Sequence, residues 1–271
     1  MKPSRLEKAI TVLNARQMKP AEMSHIGDID PRALLLVTVV YLVAMLSVPL
    51  QRTDMIIWFA AYPIISAPLA HIAYERLFRN SLYVLPILIF IVIFNPIYDR
   101  FPAFSIFGIT INSGWISFFS IIIRGLLATQ ALLLLIRVAG FNELCDALRR
   151  LGCPGIISTQ LLMVYRYLSV LLQEALTMQH ARQARSYGKN SFKASMWGPF
   201  VGQLLLRTIE RSRRINMAMK ARGFKGSLSA SPDTHWATAD TVYCLVWIPV
   251  FIALRFLDVS SMLLTLFAYR Q

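Results

Sequence analysis

Residues 115–136 read WISFFSIIIRGLLATQALLLLI, an apolar run broken by a single charge, Arg124. At 1.5 Å rise per residue such a run reaches across the ~30 Å hydrocarbon layer of a bilayer. In hydrocarbon, a helix satisfies its own backbone groups, which an isolated strand or loop cannot. Four more apolar segments extend the pattern outward: 33–50, 55–74, 82–98 and 241–257. Pro63 and Pro68 lie inside the second, where a packed bundle tolerates kinks, and Asn95-Pro96 closes the third. The stretch 260–269 is apolar but too short to cross alone. The expectation is an all-α polytopic membrane protein with about five transmembrane helices.

Composition agrees. Of 271 residues, 56% are hydrophobic and only 15% charged, where a soluble domain carries about 25%. A disordered chain, a disulfide scaffold and a fibrous repeat are all excluded. Cys145, Cys153 and Cys244 form no CxxC pair and have no histidine at zinc-ligand spacing. Residues 1–30 hold no uninterrupted apolar core, so no cleaved signal peptide is expected and the first span directs insertion.

The charge is unusual for so apolar a chain: 28 Lys+Arg against 14 Asp+Glu, net +14. Its distribution divides the protein into four parts. Residues 1–32 carry six basic and four acidic groups, residues 33–136 five and three, residues 137–226 fifteen and four, and residues 227–271 two and three. By the positive-inside rule, 137–226 is cytoplasmic. Four spans precede it, which puts the N-terminal tail 1–32 in the cytoplasm as well. Residues 227–271 then form a last transmembrane helix and tail. The segment 156–178 is apolar enough to span, but crossing would separate Arg149 and Arg150 from the eleven basic residues of 182–225. It is therefore expected to be a long helix at the cytoplasmic interface.

A second long helix is expected from Gly198-Pro199, since proline suits a first helical turn, to Gly223, a helix stop. Trp197, Val201, Leu204/Leu205, Ile209, Ile215/Asn216 and Met219 recur at helical spacing on one mainly apolar face. Arg207, Arg211, Arg214, Ala218 and Arg222 follow steps of four, three, four and four on another. Glu210 stands at i,i+4 to Arg214, and the other arginines have no local acid. The stripe admits two readings, anionic lipid headgroups or an acidic protein partner. A repetition favours the partner. Both helices end in an Ala-Arg-small triplet, Ala184-Arg185-Ser186 and Ala221-Arg222-Gly223. Small flanking residues let a planar guanidinium enter a groove and make bidentate bonds to a carboxylate.

The run Ala218-Met219-Lys220-Ala221-Arg222-Gly223-Phe224-Lys225-Gly226 resembles the second signature of the T component of energy-coupling-factor (ECF) transporters. Leu206-Arg207-Thr208-Ile209-Glu210-Arg211-Ser212 is similar to their cobalt/nickel, CbiQ-like branch. So are the early Asp30-Pro31-Arg32 and residues 142–174, including Leu148-Arg149 and Tyr165-Arg166-Tyr167. The first triplet departs from the family's Ala-Arg-Gly by Ser186, and Arg182 offers a competing register.

The resemblance implies a non-catalytic coupler in the cell membrane of a bacterium or archaeon. Two cytoplasmic ABC-type ATPase subunits, which bind the ATP and Mg, would dock on the two triplets. Long coupling helices would then carry their movement to a membrane S component, metal-binding and CbiM-like, alongside a small accessory membrane subunit. The implied cargo is cobalt or nickel, with a shared vitamin importer as the alternative. No cofactor is implied for this chain itself.

Other sites are weaker. Arg124 has no acid in its own helix, so it faces a protein contact, snorkels through a headgroup defect or contacts the substrate-binding subunit. His25, His71, His180 and His235 are scattered, and no metal site is expected. A lipid or prenyl transferase would need clustered carboxylates for Mg²⁺, whereas the nearby pairs are only Asp28/Asp30 and Glu143/Asp146. A self-sufficient secondary transporter would need internal repeats and paired midplane charges. Nucleic acid is not an expected partner, because the arginine stripe backs onto an apolar membrane-facing surface.

Overall fold

A computed structural model of the protein describes residues 29–49, 53–95, 102–106, 109–185, 197–224, 226 and 236–256. The elements are α1 (Pro31–Leu46), α2 (Thr53–Phe59), α3 (Ala61–Leu69), α4 (Tyr74–Ser81), a 3₁₀ turn (Leu82–Val84), α5 (Leu85–Val92), strands β1 (Pro102–Ile106) and β2 (Ile109–Asn112), α6 (Ser113–Ala139), α7 (Phe141–Arg150), α8 (Gly155–Arg185), α9 (Trp197–Ala221) and α10 (Thr238–Phe256). The described chain is helical except for one antiparallel hairpin, in which Phe104 pairs Ile111, Ser105 pairs Thr110 and Ile106 pairs Ile109. An all-helical reading omits this hairpin. Its signal is the period-two alternation of Phe104/Ile106 and Ile109/Ile111 around Gly108.

The protein is a membrane protein. Within the described residues, Gly114–Ala139, Gly155–Arg185 and Thr238–Phe256 are long and apolar enough to cross a bilayer. Pro31–Leu46 and Met55–Leu69 are shorter apolar helices, the latter stepping through a turn at Ala60. Where the third span is expected, at 82–98, the named helical elements are the 3₁₀ turn and α5, together Leu82 to Val92. Glu75, Arg76 and Arg79, expected between spans, sit on the amphipathic helix α4.

Two compact units divide at residues 147/148 and 232/233. The first contains α1 to α6, most of α7, and α10. Asp30 caps α1, its carboxylate accepting the Arg32 N–H at 2.9 Å with Pro31 in the first turn. The Asp30 backbone N–H donates to Asp240 Oδ1 at 2.7 Å, and the Ala237 N–H donates to Asp240 Oδ2 at 2.7 Å. One carboxylate, 1% exposed, thus serves the starts of the first and last helices together. At their far ends Arg255 Nε donates to Ser47 Oγ at 3.1 Å, so α1 and α10 run parallel.

Their interface with α2 and α3 is aromatic. Tyr41 and Tyr62 have ring centroids 4.8 Å apart, Tyr62 meets Phe251 edge-on at 5.4 Å, and Trp247 stacks on Phe251 at 5.6 Å. Pro63 has no N–H and cannot bond the carbonyl four residues back, that of Phe59. The Tyr41 hydroxyl donates to that carbonyl at 3.2 Å, satisfying the group the proline orphans. Helix α6 packs on the same bundle, held by Tyr74 Oη donating to Gln130 Oε1 at 3.3 Å. Gly125 faces α5 closely: a Cβ there would lie 2.6 Å from Leu88 Cδ1.

Removing Asp240 leaves two backbone donors unmet. Asp240→Ala is expected to cost about 2–3 kcal/mol, and Asp240→Asn, which keeps one acceptor oxygen, less. Thermal unfolding in detergent checks this, and an unchanged midpoint for Asp240→Ala would remove the joint from the account. Glu143 of α7 provides a pH test. Partial desolvation, then the carboxylates of Asp146 and Asp30, hold its carboxyl above the usual range. The fold therefore prefers Glu143 protonated, a contribution present at low pH and lost as pH rises through the raised value. Glu143→Gln is expected to raise the midpoint at pH 7 and to match the unsubstituted protein at strongly acidic pH.

Candidate functional site

The second unit holds α8 and α9, the two helices that end in Ala-Arg-small triplets. Helix α8 runs unbroken for 31 residues to Arg185. Ala184 and Arg185 are exposed in its last turn, while Arg182 is half-buried and engaged with neighbours. Ser186, the third residue of that triplet, lies outside the described residues. A cation in the last turn sits at the negative end of the helix dipole, which favours it there without using up its guanidinium.

The end of α9 is more fully defined. Gly223 has φ +77°, a left-handed conformation that costs about 1–2 kcal/mol for other L-residues. The Phe224 N–H donates to the Met219 carbonyl at 3.0 Å and the Gly223 N–H to the Lys220 carbonyl at 3.0 Å. These two bonds are the Schellman closure of a helix end. Arg222 is the cap residue at which the chain leaves the helix, and Ala221, Arg222 and Gly223 are all exposed. The triplet thus has a backbone logic: glycine turns the chain, and arginine stands where the helix stops.

Between the helices lies an open groove of about 270 Å³, lined by Val170, Leu171 and Glu174 from α8 and by Arg207, Thr208, Glu210, Arg211 and Arg214 from α9. Arg207 Nη1 donates to Glu174 Oε1 at 2.5 Å. The local Glu210–Arg214 pair expected from spacing does not form among the described residues; the stripe takes its acid from the other helix, 33 residues away. An i,i+4 pair is worth only a few tenths of a kcal/mol, too little to hold two exposed side chains. Glu174 could have been singled out as the lone acid inside an apolar stretch, but its partner depends on how the helices meet.

Arg124 belongs to the first unit and takes no part in this groove. It is 7% exposed, and its Nη2 donates to the Pro49 carbonyl at 2.8 Å, just past the C-terminal end of α1. The structure shows it making a contact within the chain. Asp30 and Asp240 meet through a backbone bond, and Asp30 and Asp146 are near enough to Glu143 to act on its charge. The sequence pairs Asp28/Asp30 and Glu143/Asp146 conceal this grouping, and Asp28 is outside the described residues. Among the described residues no three His, Cys, Asp or Glu side chains are arranged to hold a metal ion.

Comparison with known proteins identifies the family. Residues 23–236 match the CbiQ family, described as cobalt transport protein. The chain is 30% identical over 112 residues to the nickel permease LarQ of Lactiplantibacillus plantarum, 40% of this chain and 41% of that one. It is also 30% identical over 91 residues, 32% of this chain and 31% of the relative, to an uncharacterized protein of Methanocaldococcus jannaschii. A second uncharacterized protein of that organism is 28% identical over 89 residues, 32% of each chain. The aligned stretches span from about a third to two fifths of these relatives' lengths. The family match covers most of the sequence, from before α1 to the start of α10, and on that extent this membrane protein belongs to the CbiQ cobalt transport protein family.

Proposed function

We propose that the chain is the transmembrane coupling (T) component of an ECF-type importer for cobalt or nickel. Two cytoplasmic ATPase subunits dock on Ala184-Arg185-Ser186 and Ala221-Arg222-Gly223, and α8 and α9 pass their movement to a membrane substrate-binding subunit. The observation that carries this reading is the end of α9: an exposed arginine at a helix cap, flanked by alanine and by a glycine in the left-handed region. Such a guanidinium is open to a carboxylate on a partner. Exposure of Arg185, against the engagement of Arg182, supports Arg185 as the docking residue of the first triplet.

The family match to a transport protein supports a non-catalytic role. We place α8 at the cytoplasmic interface because crossing would split the basic residues of 137–226 between two sides. The nickel permease among the relatives favours a divalent transition metal over a vitamin as cargo. ATP and Mg belong to the ATPases in this scheme.

Losing one partner of a buried, hydrogen-bonded charge pair costs about 2–5 kcal/mol, or roughly 30-fold and more in affinity. Arg222→Ala is therefore expected to cut ATPase retention by about 30-fold or more in co-purification from membranes. Arg213→Ala, another exposed arginine of α9, should change it by less than about threefold. Arg207→Ala should fall between them, because Arg207 holds α8 rather than a partner. Gly223→Ala should strain the cap by about 1 kcal/mol and lower retention without removing any charge. Equal, small losses across these variants would sink the docking role. Purification without ATPases from cells that take up the metal would sink the function.

A further inference from the structure

The arginine stripe of α9 does more than supply Arg222. Arg207, Arg211 and Arg214 all line the groove between α8 and α9, and a single carboxylate from α8, Glu174, reaches into it. Glu174 bonds Arg207. Arg211 and Arg214 form no ion pair among the described residues, although they stand on the same side of α9 one and two turns further on. At 1.5 Å per residue, the step from Arg207 to Arg211 is about 6 Å along the axis and that to Arg214 about 10 Å. One acid facing three cations at steps of four and three residues has three resting positions.

The pair is exposed, with side chains of Arg207 and Glu174 at 50% and 30%. Exposed pairs are weak and exchange with water readily, so passage from one arginine to the next meets little resistance. The apolar groove lining at Val170 and Leu171 has no such register and allows sliding, while the charges define the stops. One-turn steps of one helix past another are a known form of switching in proteins.

We infer that Glu174 is a positioning residue that steps along the Arg207, Arg211, Arg214 rail as α8 and α9 shift past each other, setting discrete crossings of the two helices. This rests on the coupling function proposed above, in which these helices move.

Disulfide trapping tests it in the complete transporter reconstituted in lipid, with Cys145, Cys153 and Cys244 first replaced by alanine. Glu174→Cys is combined in turn with Arg207→Cys, Arg211→Cys, Arg214→Cys or, as a control on another face, Arg213→Cys. Without ATP, the 174/207 pair should cross-link fastest. During ATP turnover, cross-linking at 174/211 or 174/214 should rise at least about tenfold. Glu174→Asp, shorter by one methylene, should still retain the ATPases and hydrolyse ATP while uptake falls about fivefold or more. Cross-linking at 174/207 alone, with and without ATP, in a reconstituted complex that still hydrolyses ATP overturns the rail and leaves the coupling function standing. So does full uptake by Glu174→Asp. Failure of the unsubstituted chain to hold any ATPase overturns both.

Discussion

The bond from the Asp30 backbone to the Asp240 carboxylate closes the membrane unit. Two helices separated by more than two hundred residues begin side by side because one buried carboxylate accepts from the start of each. With their starts held together, α1 and α10 run parallel, and Tyr41, Tyr62, Trp247 and Phe251 come within ring-packing distance. Backbone donors at a helix start are unmet by the helix itself, and within a buried bundle a side chain must supply the acceptor.

The same rule applies to two other long-range contacts. Tyr41 donates to the carbonyl that Pro63 orphans, and Arg124 donates to the Pro49 carbonyl. In each case a helix break leaves a backbone oxygen without its usual partner, and a side chain from a neighbouring helix completes it. Hydrocarbon offers no water to do so. An arginine inside an apolar span here donates to a backbone carbonyl of a neighbouring segment.

The second unit is organised by opposite means. Helix α9 has no buried residue among its described positions, and its charges are exposed. What defines it is its end, where the Schellman bonds and the left-handed Gly223 halt the helix at Arg222. The proposed work of the protein lies in this contrast between a unit bound by buried hydrogen bonds and a pair of helices joined by one exposed ion pair. The first suits a frame and the second suits motion.

Much of this was legible in order along the chain. Apolar length placed the helices, since crossing hydrocarbon demands it, and Gly223 marked a helix stop by local backbone chemistry. The two triplets needed only sequence to be seen, because a helix end is a local event. The hairpin at 102–112 was missed because its strands are short and lie between long helical signals. The partners of Asp240, Tyr41, Arg124 and Glu174 were not readable at all. Each pairs with a group 18 to 210 residues away, and whether two such groups meet depends on how helices pack, not on the residues beside them. Sequence by itself determined a helical membrane protein with a concentrated basic region and two arginine-tipped helices. Only the tertiary structure decided which polar groups satisfy which, because burial makes an unmet hydrogen bond costly and packing alone brings a distant partner within reach.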